Sequence, residues 1–111
     1  MTTLLTIPAT PDAPVACDLT GAEDTLPDRA AELRRLLDEA LVERTSTGTE
    51  VVLRFAEHPE TVDRVLDLAR RESACCPFLA YDVRLAGGQV VWTITGRSAS
   101  ELSVLADVLV V

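Results

Sequence analysis

Hydrophobic and polar positions follow two rhythms along this chain. From Leu26 to about Arg44 the apolar residues Leu26, Ala30, Leu33, Leu37, Ala40 and Leu41 recur at the spacing of one helix face, with Thr25, Pro27 and Asp28 as a start signal. The tract Thr45-Ser46-Thr47-Gly48-Thr49 ends that rhythm. It leads into Glu50 to Ala56, where Val51, Leu53 and Phe55 alternate with Val52 and Arg54 and predict a strand. His58-Pro59-Glu60 then opens a second helix, whose inward stripe is Val62, Val65, Leu66, Leu68 and Ala69 and which runs from about Pro59 to Ala74. Pro77 cannot continue it and biases Cys76 away from helical angles.

Two strands follow, Phe78 to Leu85 and Gln89 to Thr95, around a tight turn at Ala86-Gly87-Gly88. On the first, Phe78, Ala80, Asp82 and Arg84 share the face opposite Leu79, Tyr81, Val83 and Leu85. Ser98 and Glu101 fit a capping box ahead of Leu102, Leu105, Ala106 and Leu109, which predicts a closing helix. Near the start, Pro8, Pro11 and Pro14 make residues 1–14 an extended Pro-rich arm, and Val15 to Leu19 reads as a short first strand. The order is therefore (β)αβαββα. It predicts one α+β domain over residues 15–111, with a mainly antiparallel sheet and three helices packed on one face.

Length and charge narrow the function classes. A chain of 111 residues suffices for one core. Its 48% hydrophobic and 25% charged residues are those of a folded protein. Ten basic residues, all arginine, against 18 acidic ones give a formal charge of −8, which disfavours nucleic acid and anionic membranes as partners. No apolar run is long enough to span a bilayer, and Met1 to Ile7 lacks the basic region of a secretory signal, so the cytoplasm is the expected location. Three cysteines, two of them adjacent, in a reducing compartment argue against a disulfide framework; ligands, redox groups or core filler remain.

The candidate chemistry centres on Glu72, Cys75 and Cys76. Spacings of three and four residues bring that carboxylate and both thiols to one helix face, beside the inward stripe. A carboxyl group removed from water favours its neutral form and could serve as a general acid. The helix C-terminus disfavours thiolate while Arg70 and Arg71 favour it, leaving the sign open. Adjacent cysteines suit a large soft ion such as mercury(II), copper(I) or trivalent arsenic better than zinc, whose structural sites commonly space their cysteines and use four ligands. A disulfide between the neighbours would be strained and easily reduced. Cys17 is the remaining thiol, and a three-sulfur metal site of Cys17, Cys75 and Cys76 forms if the first strand pairs near the end of the second helix.

The run Glu72-Ser73-Ala74-Cys75-Cys76-Pro77-Phe78-Leu79 resembles the Glu-x-x-Cys-Cys-Pro-Phe-Leu core of small bacterial proteins often associated with mercury-resistance genes. Val15 to Leu19, Leu53-Arg54-Phe55 and Val91 to Gly96 extend that resemblance over roughly residues 15 to 110. It implies soft-metal chemistry. By analogy with organomercurial lyase, in chemistry only, two thiols would hold mercury while Glu72 protonated the departing carbon.

Three readings are carried forward. The first is a thiol protein that binds or detoxifies mercury(II) or organomercury. The second is a small enzyme with a thiol nucleophile or redox thiol pair acting on a thiol-reactive molecule. The third is a homodimeric interaction module with packing cysteines, suggested by the apolar tail Val108 to Val111. Elsewhere His58 is expected at a helix start rather than on a metal, and Trp92, Phe55 and Phe78 in the core. Asp18, Tyr81 and Asp82 are further polar candidates. Arg54 is read as a solvated or ion-paired sheet residue, with an anionic ligand as the sharper alternative.

Overall fold

A computed structural model describes residues 2–12 and 26–99, apart from the side chains of residues 26, 27 and 75. The elements are β1 (Thr2–Ile7), α1 (Leu26–Ala40), β2 (Leu41–Ser46), β3 (Glu50–Ala56), α2 (Pro59–Cys75), β4 (Ala80–Ala86) and β5 (Gln89–Thr95). All strand pairs are antiparallel, in the spatial order β1-β4-β5-β3-β2. The two most apolar strands, β3 and β5, pair without a register break, so Leu53 faces Trp92 and Phe55 faces Val90 beneath the helices. With Val83, Tyr81, Leu68, Val65, Leu33 and Leu36 they form a single buried core.

Each boundary has a local cause. His58 is the N-cap of α2, extended at φ −155° and ψ 139°, and its Nδ1 accepts from the Glu60 amide at 3.2 Å, satisfying an otherwise orphaned helix donor. Pro59 follows at the first turn, where its missing amide costs nothing. At the far end Cys76 caps the helix at φ −121° and ψ 68°, off the helical region as the following proline requires. Between β4 and β5, Ala86 pairs with Gln89 across Gly87 and Gly88. Both glycines have positive φ, 58° and 77°, the pair of left-handed conformations that a two-residue hairpin turn needs. Between β2 and β3 the Thr47 side chain accepts from the amides of Thr49 and Glu50 at 3.3 and 3.1 Å and closes the turn.

Four expectations need correcting. The order is βαββαββ, with two helices among the described residues rather than three. The first helix stops at Ala40, and Leu41 to Ser46 is a strand. Helical spacing carried the first-helix prediction through Leu41, but cross-strand pairing with β3 wins there, and exposed Glu43, Arg44, Thr45 and Ser46 fit an edge strand. The opening strand is Thr2–Ile7, inside the segment expected to be an unpaired arm, and Leu5 and Ile7 pair with Val83 and Tyr81. The expected strand at Val15 to Leu19 and the expected closing helix lie outside the described residues. Phe78 precedes β4 instead of sitting on its outer face, and it is buried in the core. No helix among the described residues is long and apolar enough to cross a membrane.

The turn glycines give a direct test. Replacing Gly88 with alanine keeps open space around the new Cβ but forces it into the left-handed region, so unfolding free energy should fall by about 1–2 kcal/mol, read from the urea midpoint.

Candidate functional site

Glu72 stands three residues before the end of α2 and is 2% exposed. A carboxylate so deeply buried requires compensation, and α1 provides it. The Arg29 guanidinium, itself 1% exposed, donates from Nη1 to Glu72 Oε1 at 3.2 Å and also reaches the Arg71 carbonyl at 3.4 Å. A guanidinium keeps its proton throughout the physiological range, so a buried one is stabilised by a carboxylate at this distance. The pair therefore sets a buried cation against the Glu72 carboxyl group.

Two further interhelical ion pairs flank this one. Arg71 donates to Glu32 at 2.8 Å and to Asp67 of its own helix at 2.7 Å, and Arg64 meets Glu39 at 2.8 Å. Partial burial alone would lower the Arg71 pKa; hydrogen bonds and charge from Glu32 and Asp67 outweigh it and raise it above its ordinary value. Because residues 29, 32 and 39 of α1 meet 72, 71 and 64 of α2, the two helices run antiparallel.

The Cys76 backbone completes the helix end. Its amide donates to the Glu72 carbonyl at 2.7 Å, and its own carbonyl accepts from the Tyr81 hydroxyl at 3.1 Å. Tyr81 also lies 3.4 Å from the Glu72 carbonyl, so one phenol from β4 fastens two of the last carbonyls of α2. Cys76 has no exposed surface and is disulfide-bonded. That corrects the expectation of reduced thiols: the fold brings another cysteine sulfur within bonding reach of Cys76. The other two cysteines of the chain, Cys17 and Cys75, have side chains outside the described residues, as does Asp18.

The expected cluster is thus partly assembled. Glu72, Cys76 and Tyr81 converge at the exit of α2, joined by hydrogen bonds through the main chain. Asp82 does not belong there. It points to the opposite face of the sheet, where Arg84 Nε donates to it at 2.7 Å and the Thr6 hydroxyl at 3.1 Å. His58 takes its capping role. No group of three or more His, Cys, Asp or Glu placed to hold a metal occurs among the described residues, a set that omits two of the three cysteines.

Arg29 is the site residue that the sequence reading missed. Its signal was present: Arg29, Leu33 and Leu36 repeat at four and three residues, so a cation sits on the buried stripe of α1. Comparison of the chain with protein-family models, curated proteins and solved structures found no match.

Removing one member of the buried pair takes from the other an opposite charge at 3.2 Å. Arg29→Met should cost about 3–5 kcal/mol, as should Glu72→Gln with Arg29 retained, whereas the double variant Arg29→Met, Glu72→Met should recover most of that loss. A double-mutant cycle by urea denaturation measures it, and additive costs would contradict the assigned pairing.

Proposed function

We propose that the chain is a thiol protein that binds soft metal ions, mercury(II) foremost, through the cysteine centre at the end of α2, and that its oxidised form is the one carrying the Cys76 disulfide. The observation that carries this reading is the bond itself: Cys76, fully buried four residues after the ion-paired Glu72, is disulfide-bonded. Once reduced, two neighbouring thiols suit an ion that prefers thiolate over nitrogen or oxygen. The central Glu72 to Leu79 motif and its resemblance to proteins associated with mercury-resistance genes support the same class.

The steps balance as follows. An external dithiol gives two electrons and two protons to the disulfide and becomes a disulfide itself, leaving two protein thiols. Mercury(II) then displaces two protons and forms two mercury–sulfur bonds. Cys76 and either Cys75 or Cys17 supply the sulfurs in this scheme, and Glu72 holds the helix end that presents them. A reducing compartment such as the cytoplasm would keep the site ready to bind.

The disulfide also favours a second reading, a redox thiol pair that turns over a disulfide substrate. One experiment separates the two. After reduction and removal of reductant, mercury(II) is titrated while protein-bound metal is measured by elemental analysis and free thiols are counted. About one mercury per chain with loss of about two thiols is expected, and retention against a thiol wash should disappear in Cys75→Ser, Cys76→Ser. Unchanged retention in that variant overturns metal binding through this pair. Repeated turnover of a small disulfide by the wild type, lost in Cys76→Ser, establishes the redox enzyme instead.

A further inference from the structure

The face of the sheet away from the helices carries a second feature, separate from the cysteine centre. Arg54, Asp82, Arg84, Ala86, Val91, Thr93 and Thr95 line a shallow groove of about 380 Å³, at the lower end of ligand-sized clefts, roughly 300–1,000 Å³. Cross-strand register explains the grouping. Arg84, Val91 and Arg54 occupy one row across β4, β5 and β3, so the two guanidinium-bearing residues flank a valine two strand spacings apart, about 10 Å. The next row sets Asp82 beside Thr93.

The charges in the groove are unequally matched. Asp82 would be the natural partner of either arginine, yet both of its oxygens are taken, Oδ2 by Arg84 and Oδ1 by Thr6. Glu43 lies opposite Arg54 on β2 but is exposed and makes no ion pair with it. Arg54 is half-buried and has no hydrogen bond or ion pair among the described residues. A partly desolvated guanidinium without a counter-charge is costly unless an anion meets its fork. Two arginines and one aspartate line the groove, with Glu43 at its edge, on a protein whose formal charge is −8.

We infer that this groove binds a small organic monocarboxylate. The carboxylate takes the Arg54 fork in bidentate fashion, the Thr93 and Thr95 hydroxyls offer further donors, and a short apolar body lies on Val91 and Ala86. A monoanion meets the Arg54 fork with one negative charge, whereas Asp82 within the groove and Glu43 beside it disfavour the second negative charge of a dianion.

The test uses hexanoate as the probe, with inorganic phosphate and hexan-1-ol as comparison arms, followed by amide and arginine Nε chemical shifts of the intact chain. Hexanoate should shift Arg54 Nε and the Thr93 and Thr95 amides saturably, and at least about tenfold more tightly than either comparison compound. Arg54→Gln should weaken hexanoate at least about tenfold, while Arg44→Gln, an exposed arginine of β2 outside the groove, should leave it unchanged. If Arg54→Gln fails to give a dispersed spectrum, Arg54→Lys decides, since it keeps the charge but loses the fork; weakening supports the assignment and wild-type affinity overturns it. Equal weakening in Arg44→Gln, tighter binding of phosphate, or groove shifts driven by protein concentration alone would each overturn it, the last by assigning the face to a second copy of the chain.

Discussion

The buried ion pair between Arg29 and Glu72 is the constraint around which the helical layer is arranged. Two charges 1% and 2% exposed tolerate few alternative helix placements, because any slide of α1 along α2 leaves a guanidinium and a carboxylate stranded in apolar surroundings. The outer pairs, Arg71 with Glu32 and Arg64 with Glu39, are more solvated and add orientation more than stability. The hydrophobic core under the helices supplies the driving force, and the polar pair selects one register from among those the core would accept. The same pair fixes the last turn of α2, and with it the point at which Cys76 leaves the helix.

Strands with strict alternation were legible. Glu50–Ala56 and Gln89–Thr95 were delimited from sequence because each buries alternate residues against one layer, and the glycine pair between β4 and β5 has a single conformational solution. The second helix was equally clear, since Pro59 and Pro77 bracket it. The errors fall on edge strands. Leu41–Ser46 is mostly exposed and Thr2–Ile7 has no fully buried residue, so neither carries a buried periodicity, and both owe their form to pairing with a neighbour far along the chain or across a turn. Local pattern does not encode such pairing.

The candidate site was legible as residue types rather than as charge states. Spacing placed Glu72 with the cysteines and suggested its burial but not its partner, because Arg29 lies 43 residues away and arginine on a helix is ordinarily assigned to solvent. Likewise the sequence offered a ligand role and a structural role for the thiols without deciding which sulfur meets which. Arg54 shows the reverse case. Its alternation with Leu53 and Phe55 put it on the outer face, but that Asp82 pairs with Arg84 and Thr6 instead is a matter of cross-strand geometry.

Two hydrogen bonds tie the segment after β1 to the turn after α2 and to the segment after β5. The Thr10 amide donates to the Pro77 carbonyl at 2.8 Å, just beyond edge strand β1, and the Arg97 guanidinium holds the Pro11 carbonyl at 2.8 Å. Pro77 has no amide of its own, so the turn that releases the chain from α2 is held from outside through its carbonyl. The bend beside the cysteine centre and the start of the chain thus form a latch. The sheet edge and the sulfur-bearing turn are therefore joined directly through the backbone, in addition to the hydrogen bonds that Leu79 and Tyr81 make to the Cys76 carbonyl.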